Sequence, residues 1–176
     1  MSLADLLTAL ALVGLVLGGA LTLLREGQRA AALGSARAEA QQGARVALER
    51  LAREVRQAGR GLSGPETPAL AVAEPSRIVI RVDRDGDGRS TGGPETVTWL
   101  VRDGVLRRNA GGGAQPIIEG VRDLVLTYRD ARGEPTTEPG AVRAVGITLV
   151  TEPIAASGSA PRVQAVLTTE VRLRNR

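Results

Sequence analysis

Between Leu6 and Leu24 the chain holds no charged residue, and Arg25 and Glu26 close the run. A helix over that stretch, rising 1.5 Å per residue, reaches roughly 28 Å, close to the hydrocarbon thickness of a bilayer. The pattern predicts one transmembrane span. Helical periodicity then continues without a proline as far as Ala58. Ala44, Leu48, Leu51, Val55 and Ala58 recur at intervals of three and four, which lines them along one face. Glu49 and Arg53, and Arg50 and Glu54, stand four apart, the spacing of surface ion pairs. Gly59 and Gly61 supply a stop. Residues 60–76 carry three prolines and no period, and read as a linker or wrapping loop.

From Arg77 onward the period changes to two. Ile78, Ile80 and Val82 share one strand face, as do Val97, Trp99 and Val101, then Leu124, Leu126 and Tyr128, then Val145, Ile147 and Leu149. The last run carries Leu167, Thr169, Val171 and Leu173, and Asp103-Gly104 between two apolar runs marks a hairpin turn. The expected fold is α+β: a long N-terminal helix packed on an antiparallel sheet of about five or six strands with one buried face. The expected segments are a transmembrane half over 1–24, an amphipathic half over 25–59, the linker 60–76, and a sheet domain over 77–176.

Composition narrows the chemistry. Trp99 and Tyr128 are the only aromatics among 176 residues, so the core is built from Val, Leu, Ile and Ala. All 23 basic residues are Arg, and Lys, His, Cys and Phe are absent. Without those side chains there is no Ser-His-Asp triad, Schiff-base lysine, Walker lysine or thiolate zinc site. The chain reads as no enzyme. Net charge is +4, and most Arg residues alternate with Asp or Glu. The densest basic patch, "VRLRNR" at the C-terminus, reads as a solvated strand edge before it reads as a nucleic-acid contact.

Two features of the span raise questions of function. Gly14 and Gly18 form a small-xxx-small pair, which is either a close helix-packing face or the ordinary glycine content of membrane helices. Asp5 sets a carboxylate ahead of the apolar run, where a signal sequence would start with positive charge. It pairs with a free α-amino group, on this chain or a neighbour, or it caps the helix. A third feature lies in the sheet domain. "DRDGDGRSTGGPE" sets Asp83, Asp85 and Asp87 at alternate positions before Gly88, with Glu95 beyond. That spacing suits the first half of a calcium loop. The closing carboxylate falls one residue late for an EF-hand, and a strand precedes the loop. A polar Asp/Gly loop between strands is the competing reading.

The N-terminal segment, with Asp5 and Gly14 in register from Met1, resembles the mature N-terminus of type IV pilins and pseudopilins. The order "ARVALERLAREVRQAGRG", "RVDRDGDG", "DGVLRR", "IIEGVRDLVLTYRD" and a final "VRLRN" resembles the PilW-type minor pilins, with the J-type pseudopilins of type II secretion as near neighbours. The resemblance implies that prepilin peptidase removes a basic leader and that the new N-terminus at Met1 is methylated, with Asp5 as an assembly residue. It implies a single-pass inner-membrane protein with its C-terminal domain in the periplasm, later built into a pilus near the tip beside other minor pilins and the major pilin. Three positions depart from the family pattern: Met1 for the usual Phe, Asp5 for Glu, and Thr22 where major pilins often have Pro. The rival expectation is a single-pass periplasmic module that binds a ligand through calcium and never polymerises.

Overall fold

A computed structural model describes residues 2–64, 67–152 and 164–175. The chain divides into two compact units, Met1–Glu39 and Ala40–Arg176. One helix, α1 (Leu3–Gln57), contributes to both.

In the first unit α1 begins with a reciprocal cap. Ser2 Oγ accepts the Asp5 N–H at 3.2 Å, and the Asp5 carboxylate accepts the Ser2 N–H at 2.9 Å. This is the capping-box arrangement, which satisfies two N–H groups that a helix start leaves without partners. Thr8 and Thr22 turn their hydroxyls back to helix carbonyls, at Ala4, Asp5 and Gly18, so neither presents an open polar group.

In the second unit the end of α1 buries Ala44, Ala47, Leu48, Leu51, Ala52 and Val55. The expected face is therefore the packed face, continued by buried Ala58. The alanines let the helix approach the sheet closely, and a Cβ added to Gly43 would stand 3.7 Å from Ile118 Cγ2. The stretch 60–76, expected as a linker or wrapping loop, instead contributes a strand and backbone bonds to the sheet among its described residues. Gly59 N–H donates to Arg81 O, Asp83 N–H to Arg60 O, and β1 (Leu70–Glu74) pairs antiparallel with β2 (Arg77–Arg81).

The strands form two antiparallel sheets rather than the single one expected. The first runs in the order β1, β2, β3 (Thr96–Arg102), β4 (Val105–Asn109) and β5 (Ala114–Glu119). Ile78 faces Trp99, Ile80 faces Val97 and Val101 faces Leu106, so the predicted alternation builds one buried side. Asp103 and Gly104 both take positive φ, 54° and 71°, as a two-residue hairpin turn of the favoured twist requires. The second sheet runs β6 (Val121–Arg129), β7 (Ala144–Thr151) and β8 (Ala165–Arg172). A register shift between Val121 and Asp123 lets Val121 and Leu124 both point inward although they stand three apart. Hydrogen bonds tie the sheets together, among them Leu126 N–H to Pro75 O and Tyr128 OH to Glu74 O, each 2.7 Å. Burial pushes the Tyr128 phenol up from its ordinary pKa, so it stays a donor.

Candidate functional sites

The first candidate is the apolar surface of α1. Among the described residues, twelve Leu and Val side chains from Leu3 to Leu24 are 54–78 % exposed. Each favours a membrane interior by roughly 0.3–0.6 kcal/mol, so together they contribute about 4–7 kcal/mol. On the same scale a carboxylate costs about 2.5–3.5 kcal/mol at mid-bilayer and less near the surface, and Asp5 stands just ahead of the charge-free run. By length and composition α1 is long and apolar enough to cross a membrane. Gly14 and Gly18 have nothing among the described residues within 4 Å of where a Cβ would stand, so this strip is open to a neighbour.

Asp5 has a structural role whatever else it meets. Its carboxylate closes the cap that Ser2 opens, so the N-cap is Ser2, and Asp5 is the third helical residue behind it. The signal was present in the sequence as Ser-x-x-Asp before an apolar run. Met1, the expected processing site, lies outside the described residues.

The second candidate is the loop from Asp83 to Glu95. Oxygen atoms of Asp83, Asp85 and Asp87 lie within 4.8 Å of one another, with Asp83 buried and the other two exposed. Asp83 is already engaged: its two oxygens accept the Gly86 N–H at 2.6 Å and the Gly88 N–H at 3.0 Å. Asp85 Oδ1 accepts the Asp87 N–H and Asp87 Oδ1 the Arg89 N–H, at 3.1 and 2.7 Å. Spare carboxylate lone pairs remain, and hard oxygen donors are what calcium takes. Three side chains supply only part of its usual six to eight ligands. The donor set fits a calcium ion in kind and is incomplete in number.

Glu95, the expected fourth ligand, does not join that group. It is buried, and its oxygens accept the N–H groups of Arg84 at 3.0 Å and Thr91 at 3.2 Å. Asp83 and Glu95 thus staple the loop from inside. The Gly86 N–H, against burial, holds Asp83 below the ordinary carboxylate range, and the N–H groups of Arg84 and then Thr91 do the same for Glu95. Asp83 also packs on the chain after α1. A Cβ at Gly61, whose φ is +80°, would come within 2.9 Å of the Asp83 side chain. Only glycine suits that position.

A polar cluster that the sequence pattern did not reveal sits beneath the first sheet. Trp99 is fully buried, and its Nε1–H donates to Glu54 Oε2 at 2.7 Å. Arg108 Nε donates to both Glu54 oxygens, at 2.8 and 3.1 Å. Glu54 keeps a 3.8 Å contact with Arg50, but its short bonds run to the sheet, so the expected surface pair is a largely buried clamp between helix and sheet. Glu49 lies 3.7 Å from Arg45 rather than pairing with Arg53. A sole tryptophan whose N–H needs an acceptor was the available signal.

Compared with protein-family models and with curated proteins, the chain matches none.

Proposed function

We propose that this chain is a minor pilin, a non-enzymatic subunit that helps initiate or cap a type IV pilus beside other minor pilins and the major pilin. The observation that supports this best is the exposed apolar half of α1, headed by a carboxylate at the fifth position and continuous with a helix that carries a sheet domain. A helix apolar on all sides needs either lipid or other helices around it. A subunit held in the inner membrane, with its second unit in the periplasm, and later transferred into a filament would meet both needs in turn. The open strip at Gly14 and Gly18 offers close helix contact, and glycines cost a helix about 1 kcal/mol each relative to Ala, which makes local unwinding cheap there. A pseudopilin of type II secretion would use the same parts.

The test is mass spectrometry of the N-terminal peptide of the protein taken from its native membranes. A chain starting at Met1 with a methylated α-amine is the expected result. An unmodified or formylated Met1 with no leader encoded upstream overturns the pilin reading.

The proximity of Asp83, Asp85 and Asp87 favours a second reading, a membrane-anchored periplasmic module that binds calcium. Calcium at a hundred times its dissociation constant would stabilise the fold by about 2.7 kcal/mol. The expected signature is a melting temperature raised by calcium in the natural chain and unmoved in an Asp85→Asn/Asp87→Asn variant. A calcium-independent natural chain excludes this reading.

A further inference from the structure

Aspartate followed by glycine is where a protein backbone rearranges most readily. The glycine nitrogen attacks the carboxyl carbon of the aspartate before it, and glycine has no side chain to shield that nitrogen. The chain holds three such steps: Asp85-Gly86, Asp87-Gly88 and Asp103-Gly104. All three aspartates are exposed, so neither sequence nor exposure separates them. Hydrogen bonding does.

In the loop after β2 both attacking nitrogens are held. The Gly86 N–H donates to Asp83 Oδ1 at 2.6 Å, and the Gly88 N–H to Asp83 Oδ2 at 3.0 Å. A carboxylate beside an N–H opposes loss of its proton, which the attack requires. The carboxyl groups under attack are held as well, because Asp85 Oδ1 accepts the Asp87 N–H and Asp87 Oδ1 the Arg89 N–H. At the tip of the β3–β4 hairpin these restraints are missing. Among the described residues the Gly104 N–H has no acceptor, and only the Gly104 carbonyl is engaged, by the Val121 N–H at 2.9 Å. The Asp103 side chain is 83 % exposed, and its 3.7 Å contact with Arg102 Nε joins two exposed groups. Such a contact restrains little.

We infer that Asp103-Gly104 is a self-modification site that converts to isoaspartate, while Asp83 locks the other two steps. Gly104 N bonds to Asp103 Cγ, and the hydroxyl of the protonated carboxyl leaves as water with the amide hydrogen. The cyclic imide then takes up water. Opening at Cγ restores aspartate, whereas opening at the main-chain carbonyl leaves the chain running through the Asp103 side chain. The backbone gains one methylene in a two-residue turn whose twist the hairpin needs. That change falls beside the Val121 contact, which joins this hairpin to the start of β6. The inference goes beyond the pilin reading and does not depend on it.

Each passage through the imide draws one oxygen from solvent, so heavy-oxygen water reports it. The full chain in detergent is incubated in heavy-oxygen water at neutral pH, both folded and unfolded in guanidinium, then digested with trypsin in ordinary water. Cleavage at arginine separates peptides 85–89 and 103–107, whose masses are read. In the folded chain 103–107 gains label, and 85–89 lags by about tenfold or more, because a bond to a charged acceptor must first open at each glycine. In guanidinium the lag disappears. A protease that cuts before aspartate but not before isoaspartate should fail at residue 103 in the labelled protein. Equal labelling of the two folded peptides, faster labelling of 85–89, or no label in folded 103–107 while the unfolded chain gains it would each overturn the inference. Full cleavage before Asp103 in the labelled protein would overturn it too.

Discussion

Glu54→Ala tests whether the helix and the sheet are joined by a polar clamp as well as by apolar packing. The Glu54 side chain is 19 % exposed and that of Arg108 13 %. Removing the carboxylate strands two donors at once. An unaccepted buried N–H at Trp99 costs about 1–3 kcal/mol, and breaking a buried ion pair from one side costs about 3–5 kcal/mol. Both penalties arise from the same missing group, so they overlap, and a total of about 3–5 kcal/mol is expected. For a chain of this size that lowers the melting temperature by roughly 6–20 °C. Because Trp99 is the sole tryptophan, its fluorescence reports both unfolding and the local change in the folded state. Denaturant titration of the full chain in detergent, followed by that emission, measures the loss. Glu54→Met combined with Arg108→Leu should recover part of it, since it removes the stranded charge but still leaves the indole N–H without an acceptor. Glu49→Ala, which breaks an exposed pair, should change stability by less than about 0.5 kcal/mol. A Glu54→Ala loss below about 1 kcal/mol, with Trp99 emission unmoved, would refute the clamp.

Two further outcomes are expected. Asp83 and Glu95 have folded-state pKa values below their ordinary ones, so the stability they lend is complete above the carboxylate range and is lost as pH falls through it. Melts between about pH 7 and pH 3 should therefore show an acid limb that flattens in Asp83→Asn/Glu95→Gln, a variant already weaker at neutral pH; an unchanged slope would remove the staple role. Leu51→Ala, at a helix position only 1 % exposed, should cost about 2–5 kcal/mol by chemical denaturation, whereas Val46→Ala, 59 % exposed on the same helix, should stay within about 0.5 kcal/mol; equal effects would contradict the assigned face.

Much of this architecture can be read along the chain because its signals are one-dimensional. A span needs only a charge-free run of sufficient length, and the packed face of α1 needs only apolar residues at intervals of three and four. Asp103-Gly104 marks its own turn because the demand for positive φ is local. Even the cap at Ser2 and Asp5 was legible as a pattern, although it looked at first like a question about Asp5 alone.

What tertiary structure decided lies in partners far apart in sequence. β1, "LAVAE", is weak strand material between prolines, and pairing with β2 makes it a strand. β5 holds Pro116 and still joins β4. The split into two sheets follows from which edges exchange hydrogen bonds, which alternation cannot specify, because every strand with one apolar face looks alike. Glu54 meets Trp99 and Arg108 from 45 and 54 residues away, and a helix surface pattern cannot distinguish a carboxylate facing water from one folded under a sheet. Glu95 looks like a ligand by spacing, yet the loop turns it inward to bind backbone N–H groups. Local periods identify which face is buried, but only the folded chain determines what each buried polar group will meet.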